Sequence, residues 1–218
     1  ADAGTAGAPT APAATASQTP APTIAEVLPL APLQEGLLFH AVSEDTGLDV
    51  YTMQSTYRFP GGVDEHAMER ACASLLRRHA VLRAGFAHER FARPVQFVPT
   101  AVTVPWRVQD LSDLVLARPD DYASALDRLQ YDERQRRFTM DRPPLIRFVL
   151  VRLGEQGAAL VVTNHHILLD GWSDALLVTE LLRHYAAGGE DLSLSPAPQF
   201  RDYLAWVAAQ DAVAAESA

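Results

Sequence analysis

Two adjacent imidazoles, His165 and His166, are followed by a carboxylate at Asp170 and then by Gly171, at the end of a long apolar run. An imidazole near neutral pH can take up or release a proton, and a nearby carboxylate can orient it. Several chemistries are compatible with such a set. The plainest reading is none, because a histidine near a core is commonly a satisfied hydrogen-bonding group. A metal centre needs three or four converging donors. With Cys72 as the only cysteine, these would be one histidine, Asp170 and something distant. A serine hydrolase is suggested by Gly171-Trp172-Ser173-Asp174-Ala175, which imitates a nucleophile elbow. It lacks the final glycine, and the only histidine after Ser173 is His184, in the same predicted helix. Ser173 reads better as a helix N-cap. The remaining chemistry is acyl transfer assisted by one base, which needs no cofactor and to which a positioned imidazole contributes about 10²- to 10⁴-fold.

Such a cluster must be held by the elements on either side. Residues 158–163 read as a buried strand, and 173–185 as a helix with Leu176, Leu177, Leu181 and Tyr185 at helical spacing. The polar residues therefore sit at a strand-to-helix turn. Successive strand side chains point to opposite faces, so His165 and His166 cannot both face one site. One is expected to be structural and the other exposed.

Upstream, Pro32 suits the start of a helix, 51–59 a strand, and 64–79 a helix capped by Asp64. Residues 82–87 and 94–98 read as strands about a turn, and 105–108 as a continuation of the sheet. A charged-faced helix is expected over 120–137 and a strand over 146–153, with Gly154 to Gly157 turning into the strand that carries the histidines. A last helix is expected over 200–209. This order predicts α+β or mixed α/β, with helices against one sheet. Residues 1–23 are rich in Ala, Pro and Thr and poor in large apolar groups, which reads as an interdomain linker to a tethered neighbour. The folded part is expected over 24–218.

The 218 residues are 48% hydrophobic, enough for a sizeable core. A net charge of -9 disfavours a nucleic-acid partner. All 18 basic residues are arginine, which excludes Schiff-base lysine chemistry and a phosphate-loop lysine. One cysteine cannot form an internal disulfide or a thiolate cluster, so a cytoplasmic location is expected. No stretch approaches the roughly 20 apolar residues of a membrane span, and no membrane partner is expected.

The segment His165-His166-Ile167-Leu168-Leu169-Asp170-Gly171 resembles the HHxxxDG motif of the condensation domains of non-ribosomal peptide synthetases. Four further segments fall in that family's order. Residues 28–40 look like its opening motif, and Arg78-His79-Ala80-Val81-Leu82-Arg83-Ala84-Gly85-Phe86 resembles its second motif, RHxxLRxxF. Residues 140–147 are similar to the stretch before the active-site strands, and Asp202-Tyr203-Leu204-Ala205-Trp206 to the motif after them. The resemblance implies a chloramphenicol-acetyltransferase-like α/β sandwich of two pseudo-symmetric lobes, of which this chain supplies the N-terminal one. The reaction implied is amide-bond formation between a donor thioester and the α-amine of an acceptor aminoacyl thioester. Both substrates ride on the 4'-phosphopantetheine of upstream and downstream peptidyl carrier proteins, and the domain binds no cofactor or metal of its own. The other implied partners are the C-terminal lobe and adjacent synthetase domains, and the isolated lobe is expected to be inactive.

By the same resemblance, His166 faces a tunnel where the two thioesters meet and serves as base or positions the amine, while His165 packs inward. Asp170 resembles a carboxylate that the family pairs with the arginine of the second motif, for which Arg83 is the match. Gly171 either offers its N–H to a substrate carbonyl or simply allows the turn. Trp172 is expected to be core rather than tunnel wall, and Tyr203 and Trp206 to be packing residues. The wording of the opening segment and of 166–173 looks like the class taking a D-configured donor and an L-configured acceptor. An epimerisation domain and a non-catalytic carrier-docking module remain as alternatives.

Overall fold

The computed structural model describes residues 23–43, 47–89, 91–117, 122–189 and 194–216, with side chains as far as residue 210. The linker predicted over 1–23 lies outside the described residues except for Thr23, whose carbonyl accepts the N–H of Thr100 at 2.9 Å.

The described residues build two sheets, not the one that the sequence pattern suggested. Strands β1 (Ile24–Pro29), β3 (Gly85–Ala87) and β4 (Val95–Pro99) form an antiparallel sheet in the order β1-β4-β3. Strands β2 (Thr52–Phe59), β5 (Trp106–Asp110), β6 (Ile146–Arg152) and β7 (Ala158–His165) form the other, in the order β2-β7-β6-β5. In it β5 and β6 run parallel, and the other neighbours are antiparallel. β1 was not predicted because residue type does not follow burial along it: Glu26 is half-buried while the apolar Ile24 and Val27 are exposed.

Strand β7 is buried along all eight residues. That explains why its sequence is a continuous apolar run rather than an alternating one: it is covered on both faces. Leu160 and Val162 join the main core, which includes Leu75, Leu76, Phe86, Val98, Phe148 and Leu181. Ala159 and Val161 point the other way, into a smaller cluster with Val115, Leu126, Val149 and Val151. The main core draws on α1 (Pro32–Ser43), α2 (Glu65–Arg78) and α5 (Gly171–Ala186), and the smaller one on α3 (Ser112–Ala117) and α4 (Tyr122–Gln135).

Helix α2 begins where predicted. The Asp64 side chain accepts the N–H of Ala67 at 2.9 Å, satisfying one of the first-turn donors that a helix leaves unpaired. Met68, Ala71, Cys72, Leu75 and Leu76 form its buried face. Burial pushes the Cys72 thiol far above its ordinary range, so it packs as an apolar residue. Predicted strand 82–87 holds in its second half, where β3 lies, while Leu82 and Arg83 belong to a 3₁₀ turn, Ala80–Arg83. Helix α6 (Phe200–Glu216) runs past the predicted end at residue 209.

Two glycines are needed where backbones nearly touch. At Gly157, in the β6–β7 connection, φ is 80° and a Cβ would fall 2.0 Å from the carbonyl oxygen of Phe59. At Gly189, past the end of α5, φ is 81° and a Cβ would fall 2.5 Å from the carbonyl oxygen of Ala67 in α2. The second approach lets Arg70 and Ser74 of α2 donate to the carbonyls of Gly188 and Gly189, tying α5 to α2.

On the other face, Glu133 of α4 is a buried carboxylate ringed by arginines. Arg107 of β5 lies at 2.6 Å, Arg136 at 2.9 Å and Arg147 of β6 at 3.4 Å. Burial raises the Glu133 carboxyl, but Arg136 and Arg107 outweigh it and hold the group below its usual range.

Candidate active site

The turn after β7 is fixed by backbone hydrogen bonds from three directions. The N–H of His165 donates to Leu145 O at 3.0 Å, which ends the β6–β7 ladder. The N–H of His166 donates to Tyr51 O at 2.9 Å, at the entry to β2. The N–H of Leu168 donates back to His165 O at 3.1 Å, which closes the turn. Alternation along the strand then separates the two rings.

The His165 ring is fully buried. Its Nδ1 accepts the N–H of Ile167 at 3.1 Å. Its Nε2 makes a close but bent contact, 3.2 Å, with Oδ2 of the buried Asp49. Because Nδ1 accepts, it carries no proton, and the ring's hydrogen is on Nε2, the nitrogen beside the carboxylate. The other Asp49 oxygen accepts the N–H of Tyr51 at 2.9 Å. Burial works to raise the Asp49 carboxyl, yet His165, the Tyr51 N–H and Arg137 together hold it below its ordinary value.

His166 faces the opposite way, into an apolar cavity of about 550 Å³. Leu33 and Leu37 of α1, Val81 and Leu82 of the 3₁₀ turn, and Leu176 and Leu177 of α5 are among its apolar walls. Phe200 and Tyr203 of α6 line it as well. Its polar lining includes Gln34 and the pair His79 and Glu180, whose Nε2 and Oε2 lie 3.1 Å apart. Gln34 is buried, and its Nε2 donates to Ile167 O at 3.3 Å. The peptide groups around His166 are therefore anchored to α1 on one side and to the start of β2 on the other.

Asp170 is exposed and caps α5, accepting the N–H of Ser173 at 2.8 Å. That bond and the neighbouring His166 hold its carboxyl below the usual range. The N-cap is thus Asp170 rather than Ser173, and the helix begins two residues earlier than predicted. The ion pair expected between Asp170 and Arg83 is not formed. Arg83 instead donates to Leu76 O at 2.5 Å and Arg77 O at 2.8 Å, two carbonyls left open at the end of α2, and to Pro99 O at 3.1 Å. Each partner is already satisfied by a helix terminus close to it in sequence, so no buried charge pair is needed.

Gly171 has no positive φ, and a Cβ there would meet nothing within 4 Å. The turn does not require glycine, and the space beside its backbone is open. Trp172 was expected in the core but is 87% exposed in the first turn of α5. Tyr203 lines the cavity and stacks with Trp206, and both are about half exposed. Sequence reasoning missed Asp49 altogether and named Gln34 only within the opening segment. Gln34 left a trace, as a polar residue among the apolar positions of α1. Asp49 left none.

Among the described residues, no group of three or more His, Cys, Asp or Glu is placed to hold a metal ion, and no helix is long and apolar enough to cross a membrane.

A model of the Condensation domain family matches residues 24–218. The chain belongs to that family. This condensation-domain chain is 32% identical over 192 residues to tyrocidine synthase 3 of Brevibacillus parabrevis, covering 86% of the chain and 3% of that protein. It is 31% identical over 196 residues to bacitracin synthase 3 of Bacillus licheniformis, covering 89% of the chain and 3% of that protein. Among solved structures it resembles the first condensation domain of the calcium-dependent antibiotic synthetase bound to a substrate analogue. The TM-score is 0.73 at 21% identity, over 87% of this chain and 46% of that one. The condensation-domain chain thus spans less than half of that solved chain and a small part of these synthetases. The likeness supports the chloramphenicol-acetyltransferase-like α/β fold read from the sequence.

Proposed function

We propose that this chain is the N-terminal lobe of a condensation domain in a non-ribosomal peptide synthetase, and that His166 serves amide-bond formation. The observation that carries the reading is the placement of His166 in the wall of an apolar cavity, in a chain of this family. In the proposed step the α-amine of an acceptor aminoacyl thioester attacks the carbonyl of a donor thioester. A C–N bond forms, the C–S bond breaks, and the amine's proton leaves as the thiol takes one up. His166 accepts that proton or orients the amine, which suits a side chain whose ring no hydrogen bond from another described residue engages. An apolar surround strengthens such polar interactions by excluding water.

Substrates arrive on the 4'-phosphopantetheine arms of upstream and downstream carrier proteins, and the domain itself uses no cofactor. The wording of the opening segment supports a D-configured donor and an L-configured acceptor. The second lobe completes the tunnel, so the lobe alone is inactive. Asp170 acts as the cap that fixes α5 behind His166, and Gly171 leaves room for a substrate beside its N–H.

The test is single-turnover condensation by the complete domain with both carriers loaded. His166→Ala is expected to lower dipeptidyl-carrier formation by about 10²-fold or more. Unchanged turnover would overturn the reading.

A further inference from the structure

The Asp49 carboxylate is one of the most buried acids among the described residues, yet it does not line the cavity and has no arginine at salt-bridge distance; its close side-chain contact is the neutral His165 ring. Oδ1 takes the Tyr51 N–H, and Oδ2 lies 3.2 Å from His165 Nε2, close but too bent for a hydrogen bond. Its own carbonyl accepts the N–H of Thr52 at 3.0 Å. That tight turn presents Tyr51 O to the N–H of His166, while the His165 ring that Asp49 faces takes the N–H of Ile167. The peptide N–H groups on both sides of the His166 α-carbon are therefore held by two groups that Asp49 meets, Tyr51 by a hydrogen bond and the His165 ring by a 3.2 Å contact. Arg137 steadies the same region, donating to Gly47 O at 3.1 Å and Ala41 O at 3.0 Å.

We infer that Asp49 is a positioning residue for His166, acting through the tautomer of His165 and through the Tyr51 carbonyl. This rests on the reading of His166 given above. The requirement is for two acceptors on one side chain. The Tyr51 N–H and His165 Nε2 meet different oxygens, so an amide placed as Asp49 is turns its one oxygen to one of them and its NH₂ to the other. If it serves Tyr51, an NH₂ group confronts the Nε2–H of His165. The ring must then turn or shift its proton to Nδ1, and the Ile167 N–H loses its acceptor. The His166 ring moves with that peptide, and a displacement near 1 Å can cost on the order of 10²-fold in rate.

The experiment has two arms. Nitrogen-detected imidazole NMR of the 218-residue chain is expected to show His165 protonated at Nε2 and bare at Nδ1. Asp49→Asn is expected to disturb that pattern and to shift the His166 signals. A His165 that carries its proton on Nδ1 in the wild type would overturn the inference without any variant. In the second arm, the complete domain is assayed with loaded carriers. Asp49→Asn is expected to lower kcat toward 10²-fold with KM for both carriers little changed, and Asp49→Glu, which restores two acceptor oxygens, to recover part of it. An unchanged kcat, or a loss spread equally over kcat and KM that Asp49→Glu does not relieve, would sink the proposal. If His166→Ala leaves turnover intact, the amide-bond reading fails, and the NMR arm still decides whether Asp49 sets the surroundings of His166.

Discussion

Gln34 Nε2 donates to the carbonyl of Ile167 at 3.3 Å, joining residues 133 apart in sequence and tying the second helical residue past Pro32 to the turn that presents His166. The same side chain accepts the N–H of Ala31 at 3.0 Å and Nε2 of Gln96 at 3.3 Å. One buried amide thus joins the start of α1, Gln96 of β4 and the candidate site. It converts a local helix start into a wall of the cavity.

Replacing Gln34 by leucine keeps the volume and strands two partners, the Ala31 N–H and the Ile167 carbonyl, while Gln96 Nε2 keeps the Pro29 carbonyl at 2.9 Å. Each unpaired buried group costs about 1–3 kcal/mol. We expect a loss of about 2–4 kcal/mol in urea unfolding, with the midpoint lowered and the slope unchanged. A midpoint equal to wild type would show that the network carries no stability.

The separation of Arg83 from Asp170 makes a sharp prediction. Asp170→Ala removes a helix cap and is expected to cost about 0.5–2 kcal/mol, not the roughly 3–5 kcal/mol of a broken buried ion pair. In a double-mutant cycle with Arg83→Met, the coupling energy is expected to stay within about 0.5 kcal/mol of zero. A coupling above that would require the two side chains to meet.

What the sequence carried and what it did not follow from range. Helix α2 was legible from Asp64 and from an apolar stripe, because a cap and a helical period are local signals. The alternation along β7 was enough to place His165 and His166 on opposite faces. The split into two sheets was not legible, since it depends on β1 finding β4 across some seventy residues. Arg83 illustrates the limit for side chains. Its pairing with Asp170 came from a resemblance between motifs, whereas two of its actual partners are carbonyls six and seven residues back, open because a helix ends there, and the third is Pro99 O. Asp49 was invisible because its partner His165 lies far along the chain and nothing about its neighbours in sequence marks it as buried.

Glu133 makes stability depend on acid in a defined direction. Its carboxyl is held below the ordinary value of 4.5, so its contribution is full above that pH and is lost as pH falls through the lower value in the folded state. Asp49 acts in the same sense from an ordinary value of 3.8. Glu133→Gln is expected to cost about 1–3 kcal/mol at neutral pH, less than a fully broken buried pair, because Arg107 and Arg136 reach water and Arg147 keeps the backbone carbonyls of Glu133 and Arg136 and the Phe138 ring. It should also flatten the fall in stability between about pH 5 and pH 3. Urea midpoints of both proteins across that range test it, and parallel slopes would remove Glu133 as the cause.

Gly171 separates folding from function. A methyl group there meets no atom within 4 Å and requires no unusual φ, and alanine is a better helix former than glycine. Gly171→Ala should therefore leave thermal stability within about 0.5 kcal/mol of wild type, or raise it slightly. If a substrate carbonyl approaches the backbone at the start of α5, the same methyl stands in its path. Condensation by the complete domain should then fall, with the loss in kcat/KM. A stable variant with full activity would mean that the open space beside Gly171 stays empty during the reaction. A destabilised one would mean that the first turn of α5 is packed more closely than its contacts show.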